Sequence, residues 1–90
     1  MLFRSVTNPA NGEIVATTAN GDAADATRAV EAAAEAFKTW SRIPAKQRAV
    51  LLRNWFNLLM ANANDLGAIM TAEQGKPLAE SIGEVGYGAG

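Results

Sequence analysis

The side chains that do most chemistry near neutral pH are missing from this chain. It holds no histidine and no cysteine. Without histidine it lacks the usual general base and the commonest metal ligand. Without cysteine it has no thiolate nucleophile, no disulfide framework and no soft metal site. Two close carboxylate pairs remain. Asp22 with Asp25 has the spacing of a helix cap. Glu80 with Glu84 stands at i, i+4 on an expected exposed helix face, too few ligands for a cation. Neither is an acid/base couple.

The run Gly83-Glu84-Val85-Gly86-Tyr87-Gly88-Ala89-Gly90 is rich in glycine. A dinucleotide loop needs glycines at the first, third and sixth positions, between a strand and a helix. Here the preceding segment reads as helix and the third glycine is absent. The run is read instead as small residues on a closely packed helix face. The phosphate-loop pattern fails as well, because Pro77 follows Gly75-Lys76. Lys38, Arg42, Lys46, Arg48 and Arg53 are five cations with no acid between them, flanked by Trp40 and Trp55. Nucleic-acid binding would need the aromatics exposed for stacking. Both tryptophans fall on apolar stripes and are expected in the core, leaving the cations as a solvated rim or docking edge. Catalytic, cofactor-binding and metal-ligating residues are therefore expected to number none.

Composition narrows the class. Hydrophobic residues make up 49% of the 90 positions and charged ones 19%, a globular balance. The net charge of −1 gives no field to attract nucleic acid or an anionic membrane. No run approaches the ~18–20 apolar residues of a membrane span, and Met1-Leu2-Phe3-Arg4 does not open a secretory signal. A cytoplasmic location is the expectation. Much of the apolar fraction is alanine, especially between Ala23 and Ala36, so the core is expected to be thin and to need another surface.

The elements follow from local chemistry. Phe3–Val6 and Ile14–Thr17 are β-prone, and the Asn8-Pro9 and Asn11-Gly12 pairs between them are turn formers. A strand pair over 1–18 is expected, too small to stand alone. Helices should fill 22–90. The first runs from about Ala23 to Trp40 behind Asp22 as N-cap, with Asp25 completing a capping box. Pro44 fits the first turn of the second helix. That helix carries Ala49, Leu52, Trp55, Phe56, Leu59 and Ala63, widened by Leu51 and Leu58, and is expected to be buried on more than one side. Asn64 or Asp65 is expected to cap a third helix through Leu66, Ile69 and Met70, with Gly75 as its C′ residue. Pro77 opens a fourth helix carrying Leu78, Ile82 and Val85. It reaches Gly90 without a cap, which reads as a polypeptide truncated inside its last helix.

The ordered set resembles a known family. Asn8-Pro9-Ala10-Asn11-Gly12-Glu13, then Ala29-Val30, Ala33, Ala36-Phe37 and Trp40-Ser41, then Pro44-Ala45, Arg48 and Leu51-Leu52-Arg53, then Thr71 and Glu73-Gln74-Gly75-Lys76-Pro77-Leu78-Ala79-Glu80 is similar to the start of an aldehyde dehydrogenase. Glu73 to Pro77, with Gly83-Glu84-Val85 and Tyr87, is most like the succinate-semialdehyde branch. Gly86, Gly88 and Gly90 depart from that branch's pattern. The resemblance implies a fragment of an α/β fold: mainly α with a short N-terminal β-hairpin, the leading part of a Rossmann-like cofactor-binding domain. It implies a parent that oxidises an aldehyde with NAD or NADP through a cysteine nucleophile, a glutamate base and an oxyanion asparagine. All of these fall beyond Gly90 in the family's sequence. The parent is implied to be a homo-oligomer without nucleic-acid or membrane partners. Residues 1–90 are then scaffold, inactive alone and binding no cofactor, with the rest of the parent as partner. Glu73 to Pro77 acts as a helix stop and restart. A stand-alone helical interaction module, or a self-associating chain, are the alternatives.

Overall fold

The computed structural model describes residues 2–90. Its elements in chain order are β1 (Phe3–Thr7), β2 (Ile14–Ala19), α1 (Ala23–Trp40), α2 (Ala45–Ala61), α3 (Ala63–Gln74) and α4 (Leu78–Ala89). The chain is mainly helical with a two-stranded hairpin, as its local signals indicate.

β1 and β2 pair antiparallel, from Phe3 opposite Ala19 to Val6 opposite Ala16, then with an irregularity that sets Thr7 opposite Ile14. The loop is built by its asparagines. Asn8 Oδ1 accepts the Ala10 N–H at 2.9 Å and Asn11 Oδ1 accepts the Glu13 N–H at 2.9 Å. Such short side chains bond backbone two residues on and replace the ladder at a turn. Gly12 adopts φ +76°. The second strand continues through Ala19, two residues past the expected Thr17.

Asp22 caps α1 with a full capping box. Its carboxylate accepts the Asp25 N–H at 3.0 Å, and the Asp25 carboxylate accepts the Asp22 N–H at 2.9 Å. Along the helix Asp25 pairs with Arg28, and Glu35 with Lys38 at 2.6 Å. The helix nonetheless buries none of its residues.

Pro44 sits at the N-cap of α2, one position before the helical residues. The break between α2 and α3 differs from expectation. Asn62, not Asn64 or Asp65, marks it: φ is −110°, and Asn62 Nδ2 donates to the Leu58 carbonyl at 2.8 Å. The Leu58 carbonyl, which also accepts the Asn62 backbone N–H at 3.1 Å, thus takes a second donor in the last turn of α2, and α3 begins at once with Ala63. At its other end α3 closes on Gly75, whose φ of +84° is left-handed and whose N–H reaches the Thr71 carbonyl at 2.9 Å. Lys76 and Pro77 then turn the chain so that α4 folds back on α3.

That α3–α4 hairpin is the tightest contact among the helices. A Cβ built at Gly67 would lie 2.6 Å from Ile82 Cγ1 and 3.2 Å from Ile82 Cα, so the two backbones approach as only glycine permits. Ser81 is fully buried, and its hydroxyl shares a hydrogen bond of 2.8 Å with Thr71 Oγ1. The β-hairpin loop leans on the same corner: a Cβ at Gly75 would stand 3.0 Å from Pro9 Cγ.

Beyond that corner little is enclosed. Val85 is the one buried hydrophobic side chain among the described residues. The radius of gyration is 17.0 Å and the extents 48 × 33 × 14 Å, against about 12 Å for a compact domain of this length. Two expectations about burial fail here. No residue of α2 is buried, and the tryptophans are not core: Trp40 is 37% and Trp55 63% exposed. The reason is geometric. α2 has α4 and the start of α3 to lie against, and nothing in this slab meets its outer side.

Candidate functional site

Helix polarity and position decide what each chemistry-bearing residue can do. Asp22 and Asp25 are held to backbone N–H groups and Arg28, so both act as a cap. Glu84 pairs with Lys76 across the α3–α4 turn, while Glu80 is exposed and apart from that pair. Among the described residues no group of three or more Asp, Glu, His or Cys side chains is arranged to hold a metal ion.

Gly83, Gly86 and Gly88 lie inside α4, where each N–H points along the axis toward a carbonyl one turn earlier. They form no loop and no phosphate cradle. They are not a closely packed face either: a Cβ at any of the three would meet nothing within 4 Å. The glycine that does carry a close helix approach is Gly67. Its signal in the sequence is its cost, since an interior helical glycine gives up about 1 kcal/mol against alanine and so marks a packing need. Ser81 and Thr71 are the other pair that pattern reading passes over; a small polar residue on a helix looks solvent-facing until its neighbour is known.

The cations separate. Lys38 pairs with Glu35, and the Arg53 guanidinium lies over the Phe56 ring at 5.0 Å from its centroid. Arg42, Lys46, Arg48 and Arg53 make no salt bridge among the described residues.

A shallow open cleft of about 420 Å³ lies between the end of α2, α3 and α4. Leu59, Leu66, Ile69, Met70 and Val85 line it with the carboxylates Glu73 and Glu84. It offers neither nucleophile nor base poised against a donor. Chemically it is an apolar seat.

A model of the aldehyde dehydrogenase family matches residues 3–90. The chain belongs to that family. It is 49% identical over 84 residues to the Escherichia coli (strain K12) succinate-semialdehyde dehydrogenase [NADP(+)] GabD, covering 93% of this chain and 17% of that enzyme. It is 54% identical over 84 residues to a 3-sulfolactaldehyde dehydrogenase of Pseudomonas putida, with the same two coverages, 93% and 17%. In three dimensions it matches the crystal structure of succinate-semialdehyde dehydrogenase from Burkholderia pseudomallei with a TM-score of 0.94 at 48% identity, over 98% of this chain and 18% of that one. The hairpin and helices are therefore a segment of the aldehyde dehydrogenase fold, and the chain spans less than a fifth of the length of these relatives.

Family membership implies a nicotinamide cofactor in the full-length enzyme. A dinucleotide pyrophosphate needs a turn of three glycines between a strand and a helix N-terminus. Gly83, Gly86 and Gly88 are interior to α4, Gly75 follows a helix rather than a strand, and Gly21 stands as a single glycine between β2 and α1, so the residues of this segment do not form that turn.

Proposed function

We propose that this segment is the leading scaffold of an NAD(P)-dependent aldehyde dehydrogenase that oxidises succinate semialdehyde to succinate. The parent is a cytoplasmic homo-oligomer, and residues 1–90 bear on catalysis only by bracing the cofactor-binding domain. What carries the reading is the family match over residues 3–90 together with the lack of any thiol or imidazole in the same stretch. An aldehyde dehydrogenase segment that holds no thiol must draw the nucleophile from elsewhere in the polypeptide.

The substrate follows from the relatives. One is named for succinate semialdehyde and one for 3-sulfolactaldehyde. Both molecules are short aldehydes with an anionic group at the far end. The succinate-semialdehyde reading is favoured by the solved structure as well as by the bacterial relative.

The test is spectrophotometric. Full-length protein and the 90-residue chain are each given succinate semialdehyde, 3-sulfolactaldehyde and an uncharged aldehyde of similar length, with NAD and with NADP. The full-length protein is expected to reduce the cofactor, fastest with succinate semialdehyde; the 90-residue chain is expected to give no signal above buffer. Turnover by the 90-residue chain rejects the scaffold role. Preference of the full-length protein for the uncharged aldehyde rejects the substrate.

A further inference from the structure

The chain carries the same local pattern twice. Ala10-Asn11-Gly12-Glu13 and Ala19-Asn20-Gly21-Asp22 are each Ala-Asn-Gly followed by an acid. An asparagine ahead of glycine is a reactive pair, because no Cβ keeps the glycine nitrogen away from the asparagine carboxamide. The local sequence does not separate one copy from the other. The fold does. In the β1–β2 loop both reacting groups are tied: the Gly12 N–H donates to the Asn8 carbonyl at 2.7 Å, and Asn11 Oδ1 accepts the Glu13 N–H at 2.9 Å. A nitrogen whose proton is held by one carbonyl is not free to attack another. Between β2 and α1 neither group is tied. Asn20 and Gly21 are exposed, and the Asn20 carboxamide and the Gly21 N–H have no hydrogen-bond partner among the described residues.

We propose that Asn20 is a site of spontaneous deamidation in the folded chain, and that the hairpin loop protects Asn11 from the same reaction. The Gly21 nitrogen attacks Asn20 Cγ, the Cγ–Nδ2 bond breaks, and the proton from the nitrogen ends on the departing ammonia. The product is a succinimide ring. Water then opens either ring carbonyl, leaving aspartate or isoaspartate. No oxidant or cofactor enters. Isoaspartate routes the backbone through Cγ and so adds a methylene between two fixed points. These are the Asn20 N–H on the Leu2 carbonyl at 2.8 Å and the Asp22 N–H on the Asp25 carboxylate at 2.9 Å. The capping box is the one that gives way, because α1 buries no residue that would hold it in place. This chemistry is independent of the aldehyde the parent oxidises.

Peptide mapping of the full-length protein tests it. The protein is held in mildly alkaline buffer, native and in parallel in guanidinium. Trypsin with a glutamate-specific protease then places Asn11 in the peptide of residues 5–13 and Asn20 in that of residues 14–28. In the native protein Asn20 should gain a carboxylate on the order of tenfold faster than Asn11, since hydrogen bonds must open before Asn11 reacts. In guanidinium the two rates should agree within about twofold, because the loop that distinguishes them is gone. Gly21→Ala, whose Cβ would meet only Asp25 side-chain atoms at 3.5 Å or more, should slow Asn20 several-fold by hindering the nitrogen. Isoaspartyl methyltransferase should label the peptide of residues 14–28 from aged protein. Amide exchange in the first turn of α1 should be several-fold faster in aged protein than in fresh Asn20→Asp protein, which has the charge without the methylene. Equal rates at the two asparagines in the native protein, a gap that persists in guanidinium, or an Asn20 rate untouched by Gly21→Ala overturns the site and its protection. Unaltered exchange in α1 of aged protein overturns the loss of the cap.

Discussion

Replacing Gly67 by alanine should loosen the α3–α4 hairpin although alanine is the better helix former. The added methyl would stand 2.6 Å from Ile82 Cγ1, 3.1 Å from Ile82 N and 3.2 Å from Ile82 Cα. Carbon atoms rest at about 3.5–4.0 Å. Ile82 is β-branched and stiff at χ1, and its backbone atoms cannot turn aside, so α4 must retreat from α3. Overpacking of this sort costs about 1–3 kcal/mol. Alanine returns about 1 kcal/mol of helix propensity. The balance is a loss near 1 kcal/mol, or about fivefold in an opening equilibrium. Gly83 supplies the control. It is also interior to α4, but a Cβ there meets nothing within 4 Å, so Gly83→Ala should gain about 0.5–1 kcal/mol from propensity alone. Native-state amide exchange read by mass spectrometry on α3 and α4 peptides resolves both changes. Exchange should quicken about fivefold in both helices for Gly67→Ala and slow by about two- to fivefold for Gly83→Ala. The reasoning is refuted if Gly67→Ala protects the hairpin as well as glycine does, since the close approach would then carry no energetic weight. In a double-mutant cycle, Ile82→Ala should cost less in the alanine-67 background than alone.

The same assay reads two further changes. Thr71→Val takes the hydrogen-bond partner from the buried Ser81 hydroxyl and should cost about 1–3 kcal/mol; adding Ser81→Ala should cost less than the two single changes summed. Gly75→Ala places a side chain at φ +84° and 3.0 Å from Pro9 Cγ. It should cost about 1–2 kcal/mol from the backbone alone and quicken exchange in the Thr7–Glu13 loop, and Pro9→Ala should recover only the loop part. Asp22→Ala removes the capping box of a helix with no buried residue to hold it. It should cost α1 about 1 kcal/mol, seen as lost ellipticity at 222 nm, while Asp22→Asn should keep most of the signal.

Sequence alone determined what acts over a few residues. Asn8, Asn11 and Gly12 dictate the turn, Asp22 and Asp25 the start of α1, and Gly75 with Pro77 the stop and restart, because each works through backbone groups at most four positions away. The family resemblance was legible for a related reason, since it rests on that ordered series of local devices. The cap of α3 was placed two or three residues late because Asn62, Asn64 and Asp65 are all competent caps, and only the coordinates show which side chain folds back onto the last turn of α2. Burial was decided by tertiary structure. Trp55 sits on an apolar stripe yet is exposed, and Gly83 looks packed yet is open, whereas Gly67 and Ser81 carry the tightest contact in the chain. A pattern of apolar residues says which face of a helix is able to pack. Which surface meets that face depends on elements distant in sequence, and for α2 this slab contains only half of an answer.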